Sequence, residues 1–175
     1  MTMKPRAIVA AALAAFSVLA VFTPHVAAER GPSTPEERAR FVKITRALEE
    51  DPLDDNLRGD KERALRWLIE IPDISVKVCS GPLTKLLDTK KNYSPELFTH
   101  NLFASAAFII ENPEAAEDDN IVFVAGIEGV LRMYENILKE KPKARHKVLD
   151  ELIQKRDQGE LADYVRQNTR CESGQ

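Results

Sequence analysis

Residues 120–141 read Asn-Ile-Val-Phe-Val-Ala-Gly-Ile-Glu-Gly-Val-Leu-Arg-Met-Tyr-Glu-Asn-Ile-Leu-Lys-Glu-Lys. Val124, Ile127, Leu131, Tyr134 and Leu138 recur there at spacings of three and four, the repeat of one helical face. An acidic run at 114–119 precedes the stretch and Lys139 and Lys141 close it, the charge order that suits a helix dipole. The spacing predicts a long amphipathic helix. Gly126 and Gly129 interrupt it at a cost of ~1 kcal/mol each against alanine, so another helix is expected to approach closely there. Residues 104–107, three alanines and a serine, are the natural counterpart.

Helical signals continue on both sides. Upstream, Ser94-Pro95-Glu96 starts a helix carrying Leu97, Phe98, Leu102, Phe103, Ala106, Ile109 and Ile110, which stops at Asn112-Pro113. Thr34-Pro35-Glu36-Glu37 is a capping box ahead of Phe41, Ile44 and Leu48, and Asp51-Pro52 ends that helix. Asp60 is the expected cap of the next, whose Leu65, Leu68 and Ile69, with Trp67 and Ile71, predict a central position in the core. Residues 73–80 alternate in period two, but no second strand candidate exists to pair with them. They are expected to be a short helix capped by Asp73, or a buried extended segment. A short helix through Leu83, Leu86 and Leu87 follows. Downstream, Pro142 is expected to open a helix ending at Gly159, and Leu161, Tyr164 and Val165 mark a last one. The expectation is an all-α single-domain bundle of six to seven helices joined by short loops.

The first 28 residues have a different purpose. Lys4 and Arg6 precede an apolar stretch at 7–22, and Val26-Ala27-Ala28 offers small residues for cleavage. That is the pattern of a cleavable signal peptide, so the chain is expected to be exported, to the periplasm or outside the cell. The expected organisation is signal peptide 1–28, flexible lead-in 29–33, globular domain 34–171 and polar tail 172–175. Removing the leader takes the formal net charge from −3 to −5, because Lys4 and Arg6 are its only charged residues. An acidic mature chain argues against nucleic-acid binding, and the lack of further long apolar runs argues against stable membrane insertion after cleavage. In an oxidising compartment the two cysteines, Cys79 and Cys171, are expected to form one disulfide.

Motifs for chemistry are sparse. No CxxC, GxSxG or HExxH occurs, and no catalytic, cofactor-binding or metal-binding residue can be assigned. His100 follows Glu96 by four residues, and His146 precedes Asp150 by four; both read as histidines beside a carboxylate on a helix flank. Glu70 and Glu111, at apolar helix ends, are the two acids that could serve a polymer-cleaving enzyme if a second carboxylate lay within ~5–10 Å. The reading that remains is an exported, non-enzymatic interaction protein with a protein or peptide partner. The alternatives are an enzyme on cell-wall or extracellular polymer using Glu70 or Glu111, and a helical carrier of a small apolar ligand.

Overall fold

The structure, a computed structural model, describes residues 30–170. The expected signal peptide, Cys171 and the tail at 172–175 lie outside the described residues. Among those described, the protein is all-α: α1 Pro35–Glu50, α2 Arg58–Glu70, α3 Ser94–Glu111, α4 Asp119–Glu140, α5 Lys147–Asp157 and α6 Leu161–Asn168, with short 3₁₀ turns at Asp55–Leu57, Pro82–Asp88 and Pro113–Ala115.

The caps explain the boundaries. Thr34 and Glu37 close a reciprocal capping box on α1, with Pro35 in the first turn. Asp118 accepts from the Asn120 and Ile121 amides at 3.0 and 3.2 Å, which starts α4. Two sequence boundaries are corrected. Arg58 rather than Asp60 begins α2; Asp60 instead pairs with Arg63 inside its first turn. Pro142 does not open a helix. Residues 141–146 are turned back across the bundle, where the His146 amide donates to Tyr134 Oη at 2.7 Å, so α5 starts at Lys147.

An antiparallel α3–α4 hairpin is the centre of the fold. Its closeness comes from the two glycines: a Cβ on Gly129 would collide with Ala104 Cβ, and one on Gly126 would collide with Ser105 Oγ and the Asn101 side chain. One side of the hairpin packs Leu97, Ile127, Leu131, Tyr134 and Ile137 against Leu83 and Leu86 and against Leu149, Leu152 and Val165 of α5 and α6. The other packs Phe103, Ala106 and Ala107 against Phe41 and Leu48 of α1 and Ala64 of α2.

The central position expected for α2 is not observed. Ala64 is its one buried residue, and Ile69 is 74% exposed. The apolar residues near its end include two opposed faces, and only one of them can meet α1. Residues 74–79 form no helix and no paired strand, Asp73 lies in a bend, and only Ser80 takes part in a β-bridge. Ile74 and Cys79 are buried while Val78 is exposed. Asp73 caps nothing: its carboxylate accepts from the Ser33 amide and hydroxyl and from Arg38, fastening the approach to α1. At the end of the segment Ser80 and Arg170 form an isolated antiparallel bridge, exchanging amide bonds of 2.9 and 2.8 Å.

Candidate functional site

Glu49 is the penultimate residue of α1 and continues its buried face from Phe41, Thr45 and Leu48. Its side chain is only 6% exposed, so its charge must be satisfied from within. Arg132 of α4 does so with a fork, Nε to Oε2 at 2.7 Å and Nη2 to Oε1 at 3.1 Å. Arg46, one turn back on α1, donates to Oε1 at 2.8 Å and with its other nitrogen to Glu111 at 2.5 Å. Asn136 donates to the Glu49 carbonyl at 2.6 Å. Gly129 makes the approach possible, because an added Cβ would stand 2.9 Å from Glu49 Oε1.

His100 completes the group from α3. It is buried, with its Nε2 3.5 Å from Glu49 Oε1 and no hydrogen-bond partner. The distance makes its influence one of field rather than of a formed bond. Burial is the strongest influence on Glu49 and pushes its carboxyl up, but His100, Arg132 and Arg46 together outweigh it and hold the pKa at about 2. Burial also lowers the pKa of His100, against the opposing pull of Glu49. At neutral pH the cluster is therefore an ionised carboxylate, two guanidiniums and a neutral imidazole. It lies beneath an open depression of about 480 Å³ whose lining also includes Glu50, Glu135 and Lys139.

No family model, curated protein or solved structure matches this chain. The reading of the site therefore rests on its geometry. A carboxylate held near pKa 2 with both oxygens bonded is a poor proton donor at neutral pH and a blocked nucleophile. What the cluster does is hold the end of α1 against α3 and α4.

The residues singled out in the sequence fall in separate places. Glu111, at the end of α3, is tied to Arg46. Glu70, at the end of α2, is half exposed and stands 3.7 Å from Arg30. Neither arginine is exclusive: Arg46 also holds Glu49, and Arg30 also holds Glu37. The partner of His100 is Glu49, not Glu96, and His100 is a core residue rather than a flank one. His146 and Asp150 do not pair either. The His146 ring reaches the Asn92 carbonyl at 2.8 Å, while Asp150 receives bonds from Tyr134 and Arg145. Burial raises the Tyr134 hydroxyl to about 12, so it stays protonated and keeps its bond to Asp150. Cys79 is buried at 6% exposure; its expected partner, Cys171, is outside the described residues. Among the described residues no group of three or more His, Cys, Asp or Glu side chains could hold a metal. Sequence reading missed Glu49. The available signal was its place four residues after Thr45, on a face otherwise buried.

Proposed function

We propose that the chain is an exported helical binding protein that takes a protein or peptide partner and carries out no catalysis of its own. The observation that carries this reading is the non-helical segment that runs into the β-bridge at Ser80. Among the described residues, the backbone of Ile74 to Val78 makes no hydrogen bond to other backbone, and Val78 is 64% exposed. An open extended edge is a template for an added strand. Ser80 turns its own amide and carbonyl toward Arg170, so in an antiparallel register Ser75 and Lys77 present theirs on the opposite side, away from the chain's end.

The same register supports the disulfide. Ser80 and Arg170 form a hydrogen-bonded pair. Cys79 adjoins Ser80 and Cys171 follows Arg170 in sequence, so one further antiparallel pair would oppose the two cysteines at a separation of the order that disulfides span, ~4.4–6.8 Å between Cα atoms. The bridge would tether the chain's end beside the open edge and leave the other side for a partner.

The rival readings draw less support. Glu111 shares Arg46 with Glu49, and Glu70 shares Arg30 with Glu37, so each neighbouring carboxylate is tied up in ion pairs with a common arginine rather than set in an apolar cleft. An apolar carrier needs a dry cavity of ~300 Å³ or more; the apolar notch between Phe41, Ile44, Ala64 and Trp67 holds about 170 Å³.

Affinity capture from the exporting cell, using the oxidised chain and a Ser75→Pro variant of equal melting temperature, tests the proposal. A partner that is held by the native chain and lost with Ser75→Pro is expected. A partner held equally by both would remove the edge from the reading, and recovery of none would remove the binding function.

A further inference from the structure

The two halves of α1 are held to the rest of the molecule by different means. The first half is fixed by the capping box at Thr34 and Glu37, by the Arg38–Asp73 pair and by Phe41, whose ring lies 4.9 and 5.4 Å from those of Trp67 and Phe103. The last turn depends more on polar contacts. Beyond Leu48, which is buried, its ties are the Arg132 fork on Glu49, the Asn136 bond to the Glu49 carbonyl and the Arg46 link to Glu111. Asp51 then breaks the helix, at φ −133° and ψ 72°, ahead of Pro52. A helix end of this kind opens at lower cost than a helix centre.

His100 of α3 meets that last turn and is 2% exposed. Its Nε2 is 3.5 Å from Glu49 Oε1, and this oxygen already accepts from Arg46 Nη1 and Arg132 Nη2 at 2.8 and 3.1 Å. A carboxylate oxygen offers two lone pairs, so a proton added to His100 finds no vacant acceptor there. The charged groups acting on the ring are Glu49 and Arg46 from α1 and Arg132 from α4. Behind them, Glu111 bonds Arg46 and Glu128 acts on Arg132. Glu96, one turn back on α3, is exposed and lines a separate depression. Burial outweighs the pull of Glu49 and keeps the ring neutral. Water is nevertheless close, because Arg46, Glu49 and Arg132 themselves line the open depression of about 480 Å³ above the cluster.

We infer that His100 is a proton-operated latch for the end of α1: when the ring takes up a proton, the last turn lifts from α3 and α4 and water enters from the depression. The direction follows from burial. The closed form holds the ring neutral, whereas in the open form it regains its ordinary value of 6.5. Well above that pH neither form is protonated and the latch stays shut. Below it the open form binds a proton that the closed form refuses, so acid favours opening. Opening bares Leu48 and the part of the Phe103, Ala106 and Ala107 face that it covers, an apolar strip hidden at neutral pH. The latch makes no use of the segment before Ser80, so it and the binding reading can each fail without the other.

Hydrogen exchange of the full chain, resolved by amide and corrected for the pH dependence of intrinsic exchange, tests this. Between about pH 7.5 and about pH 5 the protection of the Leu48, Glu49 and Glu50 amides should fall about thirtyfold, the full effect of a histidine that titrates at 6.5 only when open. Two marks separate a latch from unfolding of the whole molecule. These amides should exchange faster than those of Ile127 and Leu131 in the hairpin, and low urea should barely change their rate, because the opening exposes little surface. His100→Gln should abolish the pH response, and His146→Gln should leave it intact. If His100→Gln does not fold, the His100 ring is titrated by NMR in the native chain, where protonation should track the loss of protection. A flat response overturns the proposal. So does protection that matches Leu131 in level and urea sensitivity, which would mean release by global unfolding alone. Protonation of the ring with the α1 amides still protected overturns it too, since Glu49 would then have exchanged partners without opening.

Discussion

Arg132 closes a two-bond fork on Glu49 across 83 residues of sequence, and that pair joins the end of α1 to the central hairpin. The carboxylate is almost wholly removed from water while the guanidinium is partly exposed, at 6% and 44%. Removing the cation therefore costs more than losing an ordinary surface pair. Arg132→Met is expected to destabilise the protein by about 2–3 kcal/mol, and Arg63→Met, whose partner Asp60 is exposed, by under about 0.5 kcal/mol. Urea titration of both variants checks the contrast.

Acid should undo the same cluster. The folded pKa of Glu49 is depressed from 4.5 to about 2, so its contribution is complete above pH 4.5 and is lost as pH falls toward 2. The shift corresponds to about 3 kcal/mol. His100 is also depressed; the unfolded chain takes up its proton first, so its contribution likewise disappears as pH falls below the ordinary histidine range. Stability measured against pH should decline in both steps, and Glu49→Gln should flatten the lower one. An unchanged lower step would mean that Glu49 is not held as described.

Gly129→Ala should destabilise although alanine is the better helix former. The gain of ~1 kcal/mol in propensity is set against a Cβ that collides with Ala104 on a rigid neighbouring helix, an overpacking cost of ~1–3 kcal/mol or more. Gly31→Ala, with nothing within 4 Å, is the neutral control. Thermal melting of the two variants separates the effects.

The proposed Cys79–Cys171 bridge predicts one cross-linked peptide in a non-reducing digest of the chain recovered from an oxidising compartment. Reduction should then lower stability by about 2–4 kcal/mol, since such a bridge would close a loop of about ninety residues. Two separately alkylated cysteines in the exported chain would exclude it.

If the proposed export and leader cleavage occur, terminal sequencing of the chain from the exporting cell should begin at Glu29. An intact Met1 would remove the cleavage from the proposal.

Most of the helices were legible because their signals are local. Thr34–Glu37 marks a start through a capping box, Pro95 marks one as a first-turn proline although Ser94 lies inside the helix and does not cap it, and Asp51-Pro52 and Asn112-Pro113 mark ends through proline sterics. The Gly126 and Gly129 pattern likewise implied a close helix contact, and Ala104 and Ser105 provide it. Where apolar residues crowd more than one face, as at Leu65 to Ile71 on α2, periodicity cannot tell which face the core will take, and Ile69 ended outside.

By itself the chain's order of residues determined the helical class and the places where helices begin and break, since capping, proline and three-four spacing act within a few residues. Only the tertiary structure decided that Glu49 would meet Arg132 and His100, and that Ser80 would bridge to Arg170. Those outcomes depend on which helix faces turn toward one another. Charge pairing and burial of that kind arise between segments tens of residues apart, whose spacing in the chain carries no record of their spacing in space.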